Sequence, residues 1–153
     1  MRFRIIAVGK VRESYIEQSL DDFRNRITPY HSLEEITVKA ADGSHPQKAM
    51  SSEAERVLNH VAAPDHLWLL ERTGHQISSE ELAGKLADLA LRGVSRLTLV
   101  VAGTYGAGAT LRERAQFLWS LSKLTLLHEW TRALVLEQLY RATKIARNEP
   151  YHH

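Results

Sequence analysis

The stretch SRLTLVVAGTYGAGATLRER, residues 95–114, contains a strand, a glycine-rich loop and the start of a helix in immediate succession. Its first half is a short apolar run, which is typical of a strand covered on both faces. The glycines then turn the chain, and Thr110 with Glu113 has the spacing of a helix capping box. A strand followed closely by a helix is the repeating unit of α/β folds.

The same unit recurs along the whole chain. Apolar or alternating runs predict further strands at residues 2–9, 32–41 and 66–70, and a brief extended piece at 121–127. Capping-box spacing marks three more helices at Ser14–Glu17, Ser52–Glu55 and Ser78–Glu81, and the last helix follows residue 128. This order predicts a three-layer α/β fold with a mostly parallel sheet covered on both faces.

Composition limits the class of protein. With 153 residues, 44% hydrophobic and 25% charged, we expect a single domain, 1–153, with a sizeable core. Cysteine is absent, which excludes disulfides and thiolate chemistry. No apolar run is long enough for a membrane span or a signal peptide, so we expect a cytoplasmic protein without a membrane partner. A net charge of only +2 means that any contact with nucleic acid must be local.

The loops after the third, fourth and fifth predicted strands are the candidate ligand site, because ligands of parallel sheets bind at the carboxyl ends of strands. The loop GTYGAG, residues 103–108, lacks the spacing of the dinucleotide fingerprint and of the Walker loop, which disfavours NAD and ATP. It is either a ligand loop or a tight turn without a ligand. Segment 120–128 can likewise either bind an adenine edge through its backbone or form a plain edge strand.

The eight histidines do not indicate a metal centre. They form no H-E-x-x-H pattern, and the chain has no G-x-S-x-G nucleophile elbow. We therefore predict no metal, and interpret four of them as surface or core side chains, namely His31, His45, His60 and His66.

The last helix carries apolar residues on more than one side, at Trp130, Leu134, Leu136, Leu139, Tyr140 and Ile145. A helix that needs cover on two sides indicates a partner, and a twofold homodimer is the commonest one. Glu137 precedes Arg141 by four residues, the favourable order for an ion pair. The chain then closes on PYHH, residues 150–153, where most domains end in poorly held polar residues.

Five motifs together resemble the RlmH family, the bacterial pseudouridine N3-methyltransferases of large-subunit ribosomal RNA. They are AVGK (7–10), GHQISSEELA (74–83), WSLSKLTLLH (119–128), RALVLEQLYRATKI (132–145) and PYHH (150–153). The resemblance covers almost the whole chain. It implies the SPOUT class, in which the C-terminal part of the α/β sheet is threaded into a trefoil knot that binds S-adenosylmethionine.

Carried over residue by residue, the resemblance implies a cofactor site at Leu70, Gly103, Leu121, Ser122, Lys123, Leu124, Thr125 and Leu126. It implies catalytic or RNA-contacting roles for Arg132, Arg141, Tyr151 and His152. It also implies a homodimer in which the C-terminal tip of one subunit lies near the cofactor of its partner, and 23S ribosomal RNA as the substrate. Because the net charge is small, we expect the substrate to be the assembled ribosome rather than free RNA.

Four positions depart from the usual family pattern: Ala102 replaces a glycine, Tyr105 stands in the glycine loop, Glu71 replaces an aspartate and Leu127 a proline. Two alternatives remain at this stage. One is a SPOUT-like protein that binds RNA without catalysis. The other is a small α/β nucleotide-binding module whose tip only packs at a dimer seam.

Overall fold

The computed structural model describes residues 1–43 and 45–152. Its strands are β1 (Arg2–Val8), β2 (Ser32–Val38), β3 (His66–His75), β4 (Arg96–Val101) and β5 (Phe117–Trp119). Its helices are α1 (Ser14–Ile27), α2 (Pro46–Leu58), α3 (Ser79–Leu91), α4 (Ala109–Arg114) and α5 (His128–Ala146). His153, the last residue of the closing motif, lies outside the described residues.

The five strands form one parallel sheet in the order β2-β1-β4-β3-β5. Alternate residues of a strand point to opposite faces, so Ile5 packs in one apolar layer and Ile6 in the other. Helices α1, α3 and α5 cover the first layer, while α2 and α4 cover the second. The α/β class predicted from the sequence is thus confirmed. Because both faces of the sheet are buried, the apolar runs of the strands are unbroken.

Two predicted capping boxes are wrong. Helix α1 has Glu13 at its N-cap and no side-chain cap, and Ser14 is already its first residue. Helix α2 begins at Pro46, so Ser52 lies inside the helix rather than at its start. Proline at the first helical position has its φ angle preset and needs no N–H partner, which lets the helix start earlier than the serine pattern indicates.

The predicted cap of α4 is also wrong. Gly108 stands at the N-cap, no side chain caps the helix, and α4 ends at Arg114. The helix stops early because Gln116 is bound into the sheet: its backbone N–H donates to the Leu67 carbonyl at 2.9 Å, and its Oε1 accepts from the Leu67 N–H at 2.7 Å. Leu118, expected on the helix, therefore lies in β5.

The third and fifth strands differ from the prediction. Strand β3 continues to His75 through the residues expected to turn the chain, with a register shift against β5 between Leu70 and His75. The edge strand is Phe117–Trp119, while residues 120–127 form no strand. Two ring contacts hold β5 at this earlier position, since Trp68 packs against Phe117 at 4.9 Å and against Trp119 at 5.9 Å.

Within residues 1–43 and 45–152, no helix is both long and apolar enough to cross a membrane.

The capping box of α3 is confirmed. The Ser78 hydroxyl accepts from the Glu81 N–H at 3.1 Å, and the Glu81 carboxylate accepts from the Ser78 N–H at 2.6 Å. Ser78→Ala removes the first of these bonds, so we expect the free energy of unfolding to fall by about 1 kcal/mol. The measurement is equilibrium unfolding in urea.

Ser14→Ala is the matched control, because Ser14 also stands at the start of a helix but makes no cap bond. We expect it to change the free energy of unfolding by less than about 0.5 kcal/mol. Equal losses in the two variants would show that the capping box contributes nothing specific.

Candidate active site

A cavity of about 540 Å³ opens at the carboxyl ends of β3, β4 and β5. It is enclosed by residues 70–72 of β3, by the connections after β4 and β5, by Arg112 of α4, by the first turn of α5 and by one residue of α2. Its lining consists of Met50, Leu70, Glu71, Arg72, Val101, Ala102, Gly103, Thr104, Tyr105, Gly106, Ala107, Arg112, Trp119, Leu121, Ser122, Leu124, Thr125, Leu126, His128 and Thr131. The cavity thus lies where parallel sheets place their ligands.

The segment after β5, residues 120–127, is fixed against β3 by Ser120. The Ser120 N–H donates to the His75 carbonyl at 2.9 Å, and its hydroxyl lies 2.9 Å from the Arg72 carbonyl oxygen. The backbones also touch, since a Cβ atom on Gly74 would collide with the carbonyl oxygen of Leu118. Residues 121–126 are therefore held as one wall of the cavity.

The glycine loop forms the opposite wall. Its turn is closed by a hydrogen bond of 2.9 Å from the Gly106 N–H to the Gly103 carbonyl, and Gly106 has a φ of +86°. Such a φ is favoured by glycine alone. Ala102, where the family resemblance leads us to expect a glycine, is not among the residues with positive φ, so its methyl group causes no backbone strain.

Glu53 of α2 lies directly behind this loop. Its side chain is buried, and Oε2 accepts a hydrogen bond of 3.0 Å from the Ala41 N–H, in the loop after β2. Oε1 has no hydrogen-bond partner among the residues that the structure describes. A Cβ atom on Gly103 would stand 3.0 Å from Oε1 and 3.0 Å from Cγ1 of Val8, so a larger residue fits between the carboxylate and β1 only if one of these side chains moves.

Charged side chains line the cavity as well as apolar ones. Glu71, a family departure at the end of the buried part of β3, pairs with Arg112 of α4 at 3.1 Å and accepts from the Thr73 hydroxyl at 3.1 Å. Arg72 also lines the cavity, and its Nη1 lies 3.5 Å from the Lys123 carbonyl oxygen. The wall is thus suited to a ligand that is partly apolar and partly charged.

Seven of the eight residues proposed for the cofactor line the cavity: Leu70, Gly103, Leu121, Ser122, Leu124, Thr125 and Leu126. Lys123 does not, because its side chain is exposed between two lining residues. The lining residues next to strand ends, such as Arg72 and Trp119, could have been found from the carboxyl-end rule. Met50 lies in α2, which packs on the opposite face of the sheet from α5. Nothing in the sequence indicates that Met50 lines the cavity.

Arg132 is buried near the first turn of α5. Its Nη1 donates to the Gly9 carbonyl at 3.2 Å, and burial lowers the pKa of its guanidinium. Glu129 on the same turn accepts from the backbone N–H of Arg12. These contacts attach the start of α5 to the loop after β1, and Arg132 lies about 13 Å along the helix from Arg141.

Arg141, Tyr151 and His152 come together at the C-terminal tip. Glu137 joins the first two, pairing with Arg141 at 2.7 Å and accepting from the Tyr151 hydroxyl at 3.2 Å. The predicted pairing of Glu137 with Arg141 is therefore confirmed. Burial, followed by the Glu137 charge, raises the pKa of Tyr151.

His152 connects the tip to α3. Its Nε2 lies 2.8 Å from the Glu80 carboxylate, and its Nδ1 lies 3.4 Å from Nη1 of Arg141. The pKa of Glu80 is lowered, first by its own backbone N–H and then by His152. None of the four predicted catalytic residues lines the cavity of its own chain, so one chain does not bring the tip and the cavity together.

No group of three or more His, Asp or Glu side chains within residues 1–43 and 45–152 is arranged to hold a metal ion. His31 is half-buried, with its ring nitrogens 3.2 Å from the Met1 carbonyl and 3.0 Å from the Thr143 hydroxyl, while His45 and His60 are exposed and His66 is intermediate. Their surface and core placement agrees with the interpretation from the sequence.

The contact of Gly103 with Glu53 gives a test of the cavity wall. We expect Gly103→Ala to lower the free energy of unfolding by about 1–3 kcal/mol, because the added methyl group forces Val8 or the buried carboxylate to move. The measurement is thermal and urea unfolding of the purified protein.

Gly84→Ala is the control. Gly84 lies inside α3 with open space around its Cβ position, so we expect a gain of up to about 1 kcal/mol from helix propensity. A Gly103→Ala variant as stable as the wild type would contradict the close packing of the glycine loop on α2.

Comparisons with known proteins agree with this geometry. A family model described as "Predicted SPOUT methyltransferase" matches residues 1–152. The chain is 37% identical over 161 residues to the ribosomal RNA large subunit methyltransferase H of Natranaerobius thermophilus, covering 100% of both chains. It is 40% identical over 158 residues to the protein of that name from Acetivibrio thermocellus, covering 99% of each chain.

A third relative of the same name, from Gloeobacter violaceus, is 37% identical over 153 residues, covering 100% of this chain and 99% of its own. The resemblance found in the sequence motifs is thereby confirmed. The chain belongs to the SPOUT methyltransferase family, in the group named ribosomal RNA large subunit methyltransferase H.

Proposed function

We propose that this methyltransferase uses S-adenosylmethionine to methylate N3 of a pseudouridine in 23S ribosomal RNA, within the assembled ribosome. We propose that residues 1–153 act as one catalytic domain. The observation that carries the proposal is the cavity at the carboxyl ends of β3, β4 and β5, which seven of the eight predicted cofactor residues line. The names of full-length relatives support the RNA substrate.

The cavity fits the proposed cofactor in size and chemistry. Its volume of about 540 Å³ lies in the usual range of small-molecule sites. Leu70, Leu121 and Leu126 would cover the faces of an adenine ring, while the backbone of Gly103 and of residues 121–126 would bind its polar edge and the methionine part. When bound, S-adenosylmethionine supplies an electrophilic methyl group.

We propose that the C-terminal part of the chain follows the trefoil path of the SPOUT class. Residues 120–127 lead from the edge strand β5 along the cavity to the start of α5 near Gly9. Helix α5 then packs with α1 and α3 on one face of the sheet. The contacts of Arg132 with Gly9 and of Glu129 with Arg12 support this path, because they bind the end of the crossing to the loop after β1.

A homodimer would complete the active site. The start of α5 carries exposed apolar side chains at Leu127, Trp130 and Leu134, and Trp130 packs on the exposed Tyr15 with ring centroids 5.7 Å apart. An exposed apolar surface of this kind favours a protein interface. Since the tip does not line its own cavity, a twofold partner whose tip reaches that cavity is the arrangement that unites the two.

In the proposed mechanism, catalysis depends mainly on holding the acceptor nitrogen in line with the methyl carbon. The neutral imidazole of His152 accepts the N3 proton of the base. Arg141 stabilises the negative charge that develops on the base carbonyl, and Tyr151 orients the extruded base. The Glu137 carboxylate binds the side chains of both Arg141 and Tyr151 and so fixes their relative positions.

The arrangement of cations favours a structured ribosomal substrate over free RNA. Arg132 is buried, Arg141 pairs with Glu137, and Lys144 and Arg147 both pair with Glu149. Few charges of the C-terminal part therefore remain for a long phosphate track, and binding by charge alone would be weak. Action on the ribosome would place the enzyme in the cytoplasm.

The comparisons do not favour the alternative of a SPOUT-like protein that binds RNA without catalysis. The argument for this alternative is that the altered glycine loop could weaken cofactor binding. The φ angle of Ala102 is not positive, however, so its methyl group does not strain the backbone. The small nucleotide-binding module has no support from the family match.

The first test is isothermal titration of the purified dimer with S-adenosylmethionine, followed by methylation of ribosomes that lack the methyl group. We expect saturable binding and transfer of a methyl group to the ribosomes, with far less transfer to an isolated RNA stem-loop. A folded dimer that retains RNA but neither binds the cofactor nor methylates ribosomes would support the non-catalytic alternative instead.

A subunit-mixing experiment tests the shared site. We expect His152→Ala and a cofactor-site variant such as Gly103→Ala each to be nearly inactive as homodimers. Their co-expressed mixture should regain about a quarter of wild-type activity, because half of the dimers are mixed and each mixed dimer has one intact site. If the mixture recovered no activity, each tip would serve the cavity of its own chain. Full activity of the His152→Ala homodimer would show that His152 is not the base.

A further inference from the structure

Tyr105 is an exposed aromatic residue at the mouth of the cavity. It lies at the corner of the turn closed by Gly103 and Gly106, it lines the cavity, and 45% of its surface is exposed. Within residues 1–43 and 45–152, its ring pairs with no other aromatic ring. An aromatic ring held on a rigid turn with a free face is suited to stack on a planar ligand.

Leu124 gives the cavity mouth a second apolar side chain. It is 73% exposed and lines the same cavity from segment 120–127. Its backbone N–H donates to the Ser122 hydroxyl at 3.0 Å, which fixes this part of the segment. The two walls of the cavity thus each present one large apolar side chain at its mouth.

Positive charge lies beside Leu124. Arg72 lines the cavity, and its Nη1 lies 3.5 Å from the carbonyl oxygen of Lys123. Lys123 directly precedes Leu124, and its side chain is exposed. Neither side chain is paired with a carboxylate of the described residues, in contrast to Arg112, which is bound by Glu71. Both cations are therefore available to a phosphate group.

We propose that Tyr105 stacks on an unpaired RNA base at the mouth of the cavity. Leu124 contacts the same nucleotide from the other wall, and Arg72 and Lys123 bind the flanking phosphates. Single-stranded RNA is the occupant that fits, because unstacked bases bind aromatic side chains and their backbone binds cations. This inference rests on the proposed function and adds a substrate-binding residue from the same subunit as the cofactor site.

The test is steady-state methylation of ribosomes that lack the methyl group, by the wild type and four variants, one of which, Lys123→Gln, removes a cation beside the cavity mouth. Tyr105→Ala removes the ring, Tyr105→Phe keeps it, and Leu91→Ala is the control. Leu91 is 87% exposed at the end of α3 and does not line the cavity. Isothermal titration with S-adenosylmethionine and thermal unfolding are measured for each protein.

We expect Tyr105→Ala to raise the KM for ribosomes about fivefold or more, the lower end of the effect of losing one base–aromatic stack. Its kcat, its Kd for S-adenosylmethionine and its unfolding temperature should stay close to those of the wild type. Tyr105→Phe and Leu91→Ala should keep the wild-type KM. Lys123→Gln should raise the KM for ribosomes and reduce its dependence on salt.

Two results would overturn the inference. One is an unchanged KM for ribosomes in Tyr105→Ala. The other is a loss of affinity for S-adenosylmethionine that accounts for the whole defect, which would make Tyr105 a cover for the cofactor. Failure of the proposed function is distinguishable from both, because the wild type itself would then neither bind S-adenosylmethionine nor methylate ribosomes.

Discussion

The site depends on the close contact of two backbones, where Gly74 at the end of β3 meets the Leu118 carbonyl of β5. A side chain at position 74 would separate these strands, and β5 has only three residues with which to hold its place. Ser120 then binds the next residues to the end of β3 through its N–H and its hydroxyl. Segment 120–127 is therefore a fixed wall, and the cavity exists because that wall stands opposite the glycine loop.

The glycine loop, which forms the opposite wall, packs against the buried side chain of Glu53. Glu53 connects the loop after β2 to the back of the glycine loop, and a methyl group on Gly103 would press against its carboxylate. Helices from both layers of the fold thus contribute to one edge of the sheet: α2 supports the cavity from one side and the first turn of α5 from the other. This shared support explains how a protein of this size can form the cavity with loops of only a few residues.

The chemistry is divided between two places in the molecule. The cavity would hold the methyl donor, while Arg141, Tyr151 and His152 are held together at the far part of α5 by Glu137 and Glu80. Under our proposals, such a division would make catalysis depend on assembly, since a monomer would hold the cofactor without the acid–base group. Under our proposals, the substrate base contacts residues from both subunits, with stacking on one and proton removal by the other.

The sequence by itself determined the class of fold, the family and most of the cavity lining, because apolar runs buried on both faces and the spacing of the motifs are local properties. It also determined the capping box of Ser78, whose partners lie three residues apart. The position of β5 was decided by tertiary structure, through the pairing of Gln116 with Leu67. The burial of Arg132 and Glu53 was also decided by tertiary structure. Their partners lie far apart in the sequence, so no periodic pattern in the sequence indicates these contacts.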